Sequence, residues 1–84
     1  MSIVTPNLRS VVDHDGAVIL DIPRDAMTTL NSTGAYVWQR LERGLSIDAI
    51  ITDLARETGV DQVIVAADVM QFMEQLKSKH LVIV

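Results

Sequence analysis

The apolar positions of this chain change period near Asn31. Before it they alternate or run in short blocks; after it they recur at spacings of three and four. Leu8 to Asp13, with Val11 and Val12, predicts a first strand. Asp15-Gly16 follows, a dipeptide that supplies the positive φ angles of a two-residue hairpin turn. Ala17 to Ile22 predicts a second strand, on which Val18, Leu20 and Ile22 alternate onto one face. Pro23 has no N–H for a ladder and closes that strand. Pro23-Arg24-Asp25 predicts a turn, and Ala26 to Leu30 a third short strand. The product is a meander with at least one open edge.

From Asn31 the pattern is helical. Asn31 or Ser32 caps a helix that carries Tyr36, Val37, Trp38 and Leu41 and ends at Gly44. Ser46 caps a second, with Asp48 in its first turn, where a negative charge suits the helix dipole. Ile47, Ile50, Ile51 and Leu54 form its buried face, and Gly59 ends it. Asp61 caps a third helix that runs to about Ser78. Leu81 to Val84 is a short apolar tail, a strand or a segment tucked against the core. Three strands followed by three helices predict one α+β domain over 1–84, winged helix-turn-helix-like. Its three-stranded antiparallel sheet precedes the helices.

The third helix has more apolar surface than it needs. On a helical wheel Val65, Val69, Phe72 and Leu76 form one narrow stripe, enough to bury it against a small core. Val63, Ala66, Met70 and Met73 widen the apolar sector to roughly half the circumference, where about 100° suffices. Such a stripe is either core or the wall of a groove, and methionines suit a surface that accepts varied side chains. An extended peptide added to the sheet edge would drop alternate side chains onto this helix.

Composition narrows the choice. Apolar residues make up 49% of the 84, so the chain is not disordered by composition. Only Trp38, Tyr36 and Phe72 are aromatic, and a chain this short buries only about 60% of its unfolded surface. With no cysteine there is no disulfide, thiolate metal site or cysteine nucleophile, and an unstapled small domain points to a cytoplasmic setting. Met1 to Ser10 lacks the apolar core of a signal peptide, and no apolar run approaches the ~20 residues of a membrane span. Seven basic against eleven acidic side chains, net −4, argue against nucleic acid. The third helix has no Arg, and no Lys before Lys77.

Candidate chemistry is sparse. His14 and His80 are the only histidines, with no spacing that would hold a metal. Asp13-His14-Asp15 reads as a solvated turn. The glycines are too dispersed for a phosphate loop, and no serine has a histidine partner. Neither catalysis nor a cofactor is expected.

Several blocks, in order, resemble the PqqD-like proteins. Leu30-Asn31-Ser32-Thr33-Gly34-Ala35-Tyr36-Val37-Trp38 resembles their LN-x-T-(G)-A-x-x-(I/V)-W block. Gly44-Leu45-Ser46-Ile47-Asp48-Ala49-Ile50 resembles their glycine and capped helix start. Asp68-Val69, Phe72-Met73 and Leu76 match D-V-x-x-F-L-x-x-L, with Met73 for a common Leu. Leu81-Val82 matches a closing G-L-V, with His80 where Gly is usual. Asp15-Gly16 before Val18-Ile19-Leu20 resembles the early hairpin. The resemblance implies a non-catalytic domain that binds the leader of a ribosomally made precursor peptide. It then presents that leader to a modifying enzyme or, in lasso-peptide systems, a leader peptidase. Stand-alone members serve pyrroloquinoline quinone, lasso peptides and related products. The leader would add as a strand beside Asp25, Ala26, Met27, Thr28, Thr29 and Leu30. It would pack on the third helix among Val65, Asp68, Val69, Phe72 and Met73. Three other readings stay open: a homodimer closing the apolar flank of that helix, a winged-helix transcription regulator, and a small metal-dependent enzyme.

Overall fold

A computed structural model describes residues 3–83. Val84, the end of the expected apolar tail, lies outside them. The elements are β1 (Leu8–Asp13), β2 (Gly16–Asp21), β3 (Ala26–Asn31), α1 (Ser32–Glu42), α2 (Ile47–Thr58) and α3 (Gln62–Ser78). The strands form one antiparallel sheet in the order β1-β2-β3, so β1 and β3 are both edges. The architecture is the expected α+β one, three strands and then three helices.

The first hairpin closes on His14-Asp15. Its geometry is held by the Asp13 carboxylate, which accepts from the N–H of Asp15 at 2.8 Å and of Gly16 at 3.1 Å. In the second turn the Asp25 N–H donates to the Ile22 carbonyl at 3.1 Å, and Asp25 takes a φ of 52°. Asp25 therefore belongs to the turn, and β3 starts one residue later than the predicted groove. Asp21 is buried at the end of β2, where its carboxylate accepts from Arg24 N–H at 3.3 Å and faces Arg24 Nε at 3.4 Å.

α1 packs across the inner face of the sheet, and α2 packs against α3. The inner face is Ala17, Ile19 and Asp21 on β2; Leu20 and Ile22 point outward and are exposed. The face picked out by Val18, Leu20 and Ile22 is thus the open one. β2 is apolar at Ala17, Val18, Ile19 and Leu20 alike, and a period of two separates two faces without saying which is covered. Trp38, Leu41, Ile50, Leu76 and Leu81 complete a core in which Trp38 is wholly enclosed.

Each helix starts at the expected cap. Asn31 accepts from Gly34 N–H at 2.8 Å, Ser46 from Ala49 N–H at 3.1 Å and Asp61 from Val63 N–H at 2.8 Å. α1 and α3 end in the same double hydrogen bond. After α1, Gly44 N–H donates to Leu41 and Leu45 N–H to Arg40; after α3, His80 N–H donates to Lys77 and Leu81 N–H to Leu76. This motif needs a left-handed residue at its pivot. Gly44 meets it with φ 82°, but His80 is forced to φ 62°. A glycine would take this left-handed pivot without strain, as Gly44 does, and at His80 the chain carries the strain instead. His80→Gly is expected to stabilise the domain by about 1 kcal/mol, relief of the left-handed cost less the added freedom of the unfolded chain. A thermal melt would show a midpoint higher by roughly 4–8 °C; an unchanged midpoint would mean the strain is absorbed. Beyond this pivot, Leu81 and Val82 tuck into the core and bridge to the N-terminal segment, with Thr5 N–H donating to the Leu81 carbonyl at 3.0 Å.

Candidate functional site

Between β3 and α3 lies a cleft of about 370 Å³. Its floor is apolar: Val37 of α1, Leu54 of α2, and Val65 and Val69 of α3. Phe72, half-buried, forms one wall. β3 contributes Thr29, Leu30 and Asn31 to the opposite wall, and Thr58 and Val60 close the end near α2. Asp68 and Gln75 stand on the rim, Asp68 being the one charged side chain among the described lining residues.

The junction of β3 and α1 meets the distant α3 at Gly34, in the first turn of α1. A Cβ there would lie 3.2 Å from Phe72 Cε1, 3.3 Å from Leu30 Cβ and 3.4 Å from Asn31 Oδ1. The missing side chain gives Phe72 its place and brings β3 close to the helices. Gly34 was not expected in the site. A glycine inside a helix costs ~1 kcal/mol against alanine, and that cost was the available signal of a close approach.

The outer edge of β3 is open. Its strand pairs only with β2, and no other backbone hydrogen bond is made from Ala26–Asn31 to a neighbouring element among the described residues. The direction of its free groups follows from Gly16. A Cβ on Gly16 would collide with the Leu30 carbonyl oxygen, so that carbonyl faces β2. Carbonyls alternate along a strand. Ala26, Thr28 and Leu30 therefore aim their backbone groups at β2, while Met27 and Thr29 aim theirs outward.

The expected site residues divide accordingly. Thr29, Leu30, Val65, Asp68, Val69 and Phe72 line one cleft. Ala26, Met27 and Thr28 continue β3 beyond it, and Asp25 sits in the turn. Met73 does not line the cleft; at 4% exposure it is a core residue on the opposite flank of α3 from Asp68. Of the other flanking residues, Val63 and Met70 stay 77% and 49% exposed. Asn31, Thr33, Val37, Leu54, Thr58, Val60 and Gln75 also line the cleft, and none of them was expected in the site.

Catalytic groupings are sparse here. His14 and His80 are exposed, on the first turn and after α3. Among the described residues no group of three or more His, Asp or Glu side chains could hold a metal, and no helix is long and apolar enough to cross a membrane. A free strand edge beside an apolar cleft can bind an extended peptide through backbone hydrogen bonds and side-chain pockets at once.

The family model described as coenzyme PQQ synthesis protein D (PqqD) matches residues 16–82. No curated protein matches the chain in sequence. Two solved structures are similar to it. One is TbiB1 in complex with the TbiA(beta) leader peptide, 26% identical, with a TM-score of 0.90 over 98% of this chain and 94% of that one. The other is a lasso peptide synthetase B1 complexed with the leader peptide, 25% identical, with a TM-score of 0.86 over 96% of this chain and 95% of that one.

Proposed function

The chain belongs to the PqqD family, and we propose that it binds the leader segment of a ribosomally made precursor peptide and presents it to a modifying enzyme or leader peptidase. The observation that carries this reading is the open edge of β3 beside the apolar cleft. The leader adds as a strand to Met27 and Thr29 and drops alternate side chains between β3 and α3. Similar proteins solved with leader peptides support it, and they favour a lasso-type precursor. The domain contributes recognition and no bond-making, in a cytoplasmic setting suited to a small domain without disulfides.

Two kinds of contact divide the work. Ladder hydrogen bonds supply affinity irrespective of sequence, each worth ~0.5–1.5 kcal/mol net. Apolar leader side chains over Val65, Val69 and Phe72 supply selectivity, while Met73 acts from the core as packing. Asp68 is exposed at the rim, where an ion pair with a basic leader residue is weak. Asp68→Asn is therefore expected to weaken binding by less than about fivefold. Fluorescence anisotropy with a labelled leader checks this, and a larger loss would make Asp68 a principal anchor.

Solution NMR tests the reading as a whole. A leader encoded near this chain is expected to shift the amide signals of Ala26 to Leu30 and Val65 to Phe72. If those signals stay still at saturating peptide, the site is elsewhere. A homodimer through the flank of α3 is the reading that exposed Val63 and Met70 favour. Met73, which would have widened that flank, is buried in the core instead.

A further inference from the structure

β1 is the second edge of the sheet, and its outer side makes no backbone hydrogen bond to another element among the described residues. Arg9, Val11 and Asp13 alternate on its open face, all exposed. Arg9 and Asp13 have opposite charges and stand two residues to either side of Val11. A second β1 running antiparallel, with Val11 opposite its own copy, would set each Arg9 against the other chain's Asp13. One two-fold operation forms both pairs. No other antiparallel register brings Arg9 opposite Asp13. Because the central residue opposes itself, the outward backbone groups of the two strands also match.

We propose that a second copy of this chain docks along β1 in this register, joining two three-stranded sheets into one. Val11, 72% exposed and β-branched, meets its own copy on the axis. The Asp13 Oδ1 atom is occupied by the N–H groups of the turn, which leaves Oδ2 for the incoming guanidinium. Glu42 accepts from Ser10 Oγ at 2.9 Å and so lies on the covered face, away from the pairs. His14 of one copy falls opposite Leu8 of the other, at the rim. Both β3 edges stay free at the two far ends of the joined sheet. The inference therefore uses a surface separate from the leader site.

Sedimentation velocity from micromolar to millimolar protein is expected to show the native chain associating into dimers. Arg9→Asp and Asp13→Arg each place like charges opposite one another twice, and each alone weakens association by about tenfold or more. Mixing the two variants restores it, because every introduced charge then faces its opposite. Val11→Asp leaves the turn bonds of Asp13 intact, sets two carboxylates on the axis, and abolishes association. Circular dichroism confirms that each variant is folded. A native chain that stays monomeric to millimolar concentration overturns the proposal, as do single variants that associate like the native chain or a mixture that does not recover. Arg9→Asp binds leader peptide as the native chain does. Loss of leader binding by every form, with the dimer pattern intact, would remove the function proposed above and leave this one standing.

Discussion

A Thr29→Pro variant is expected to stay folded and lose the leader peptide. The backbone of Thr29 faces away from β2, so the free domain gives up no ladder bond when its N–H is removed. An edge strand with its N–H toward solvent is where a sheet tolerates proline. The leader, however, loses a donor and meets the pyrrolidine ring where its own backbone must pass. Affinity should fall by at least about tenfold, or ~1.4 kcal/mol, and Met27→Pro should act alike. Thr28→Pro is the control. Its N–H faces β2 opposite Ile19, so proline there breaks the sheet and unfolds the domain. Anisotropy titration reads the binding and circular dichroism the fold. If Thr29→Pro and Met27→Pro both bind like the native chain, the leader does not add to β3.

That experiment depends on a detail the sequence hides. The position of β3, between Pro23-Arg24-Asp25 and the Asn31 cap, was legible because turn and cap chemistry are local. The caps Asn31, Ser46 and Asp61 bounded all three helices for the same reason. Which backbone groups of β3 face outward depends on register with β2, and that emerges only when the strands pair. The side of β2 that is covered was equally hidden, since both its faces are apolar. On α3 the stripe of Val65 and Val69 lies inward as expected, while Val63 and Met70, which widened the apolar sector, are exposed and line no part of the cleft. The wheel sets Met73 about 140° from Asp68, but it could not show that Met73's flank turns into the core while Asp68's borders the cleft. Packing from α2 and β3 decides that, and those elements are distant in sequence. Leu54, Thr58 and Val60 entered the cleft through the same long-range packing. His80 shows the converse. Its departure from glycine was visible, but only the left-handed pivot after α3 gives the departure a cost.

The other large effect is expected at Gly16, where fold and site share one contact. A methyl group there would enter the space of the Leu30 carbonyl oxygen, across the β2–β3 ladder. The obstacle is backbone, which cannot swing aside as a flexible side chain does. Relief requires the end of β3 to move away from β2. Overpacking costs ~1–3 kcal/mol, and an obstacle of this kind puts Gly16→Ala near the upper end, about 3 kcal/mol. A domain of this size holds only about 4–13 kcal/mol in all. A thermal melt should show a midpoint lower by roughly 12–24 °C. Gly44→Ala gives the scale. Nothing lies within 4 Å of a Cβ at Gly44, so only the left-handed backbone, at about 1–2 kcal/mol, opposes it. The two variants should also differ in function. Gly16 pairs with Asn31, which caps α1 and lines the cleft with Leu30. Displacing these residues shifts the wall against which the leader packs, so Gly16→Ala should weaken leader binding even at temperatures where it remains folded. Gly44, at the far end of α1, should leave binding unchanged. Equal melting midpoints for the two variants would show that β3 yields freely at Leu30. The close approach of β2 and β3 would then not hold the cleft in shape.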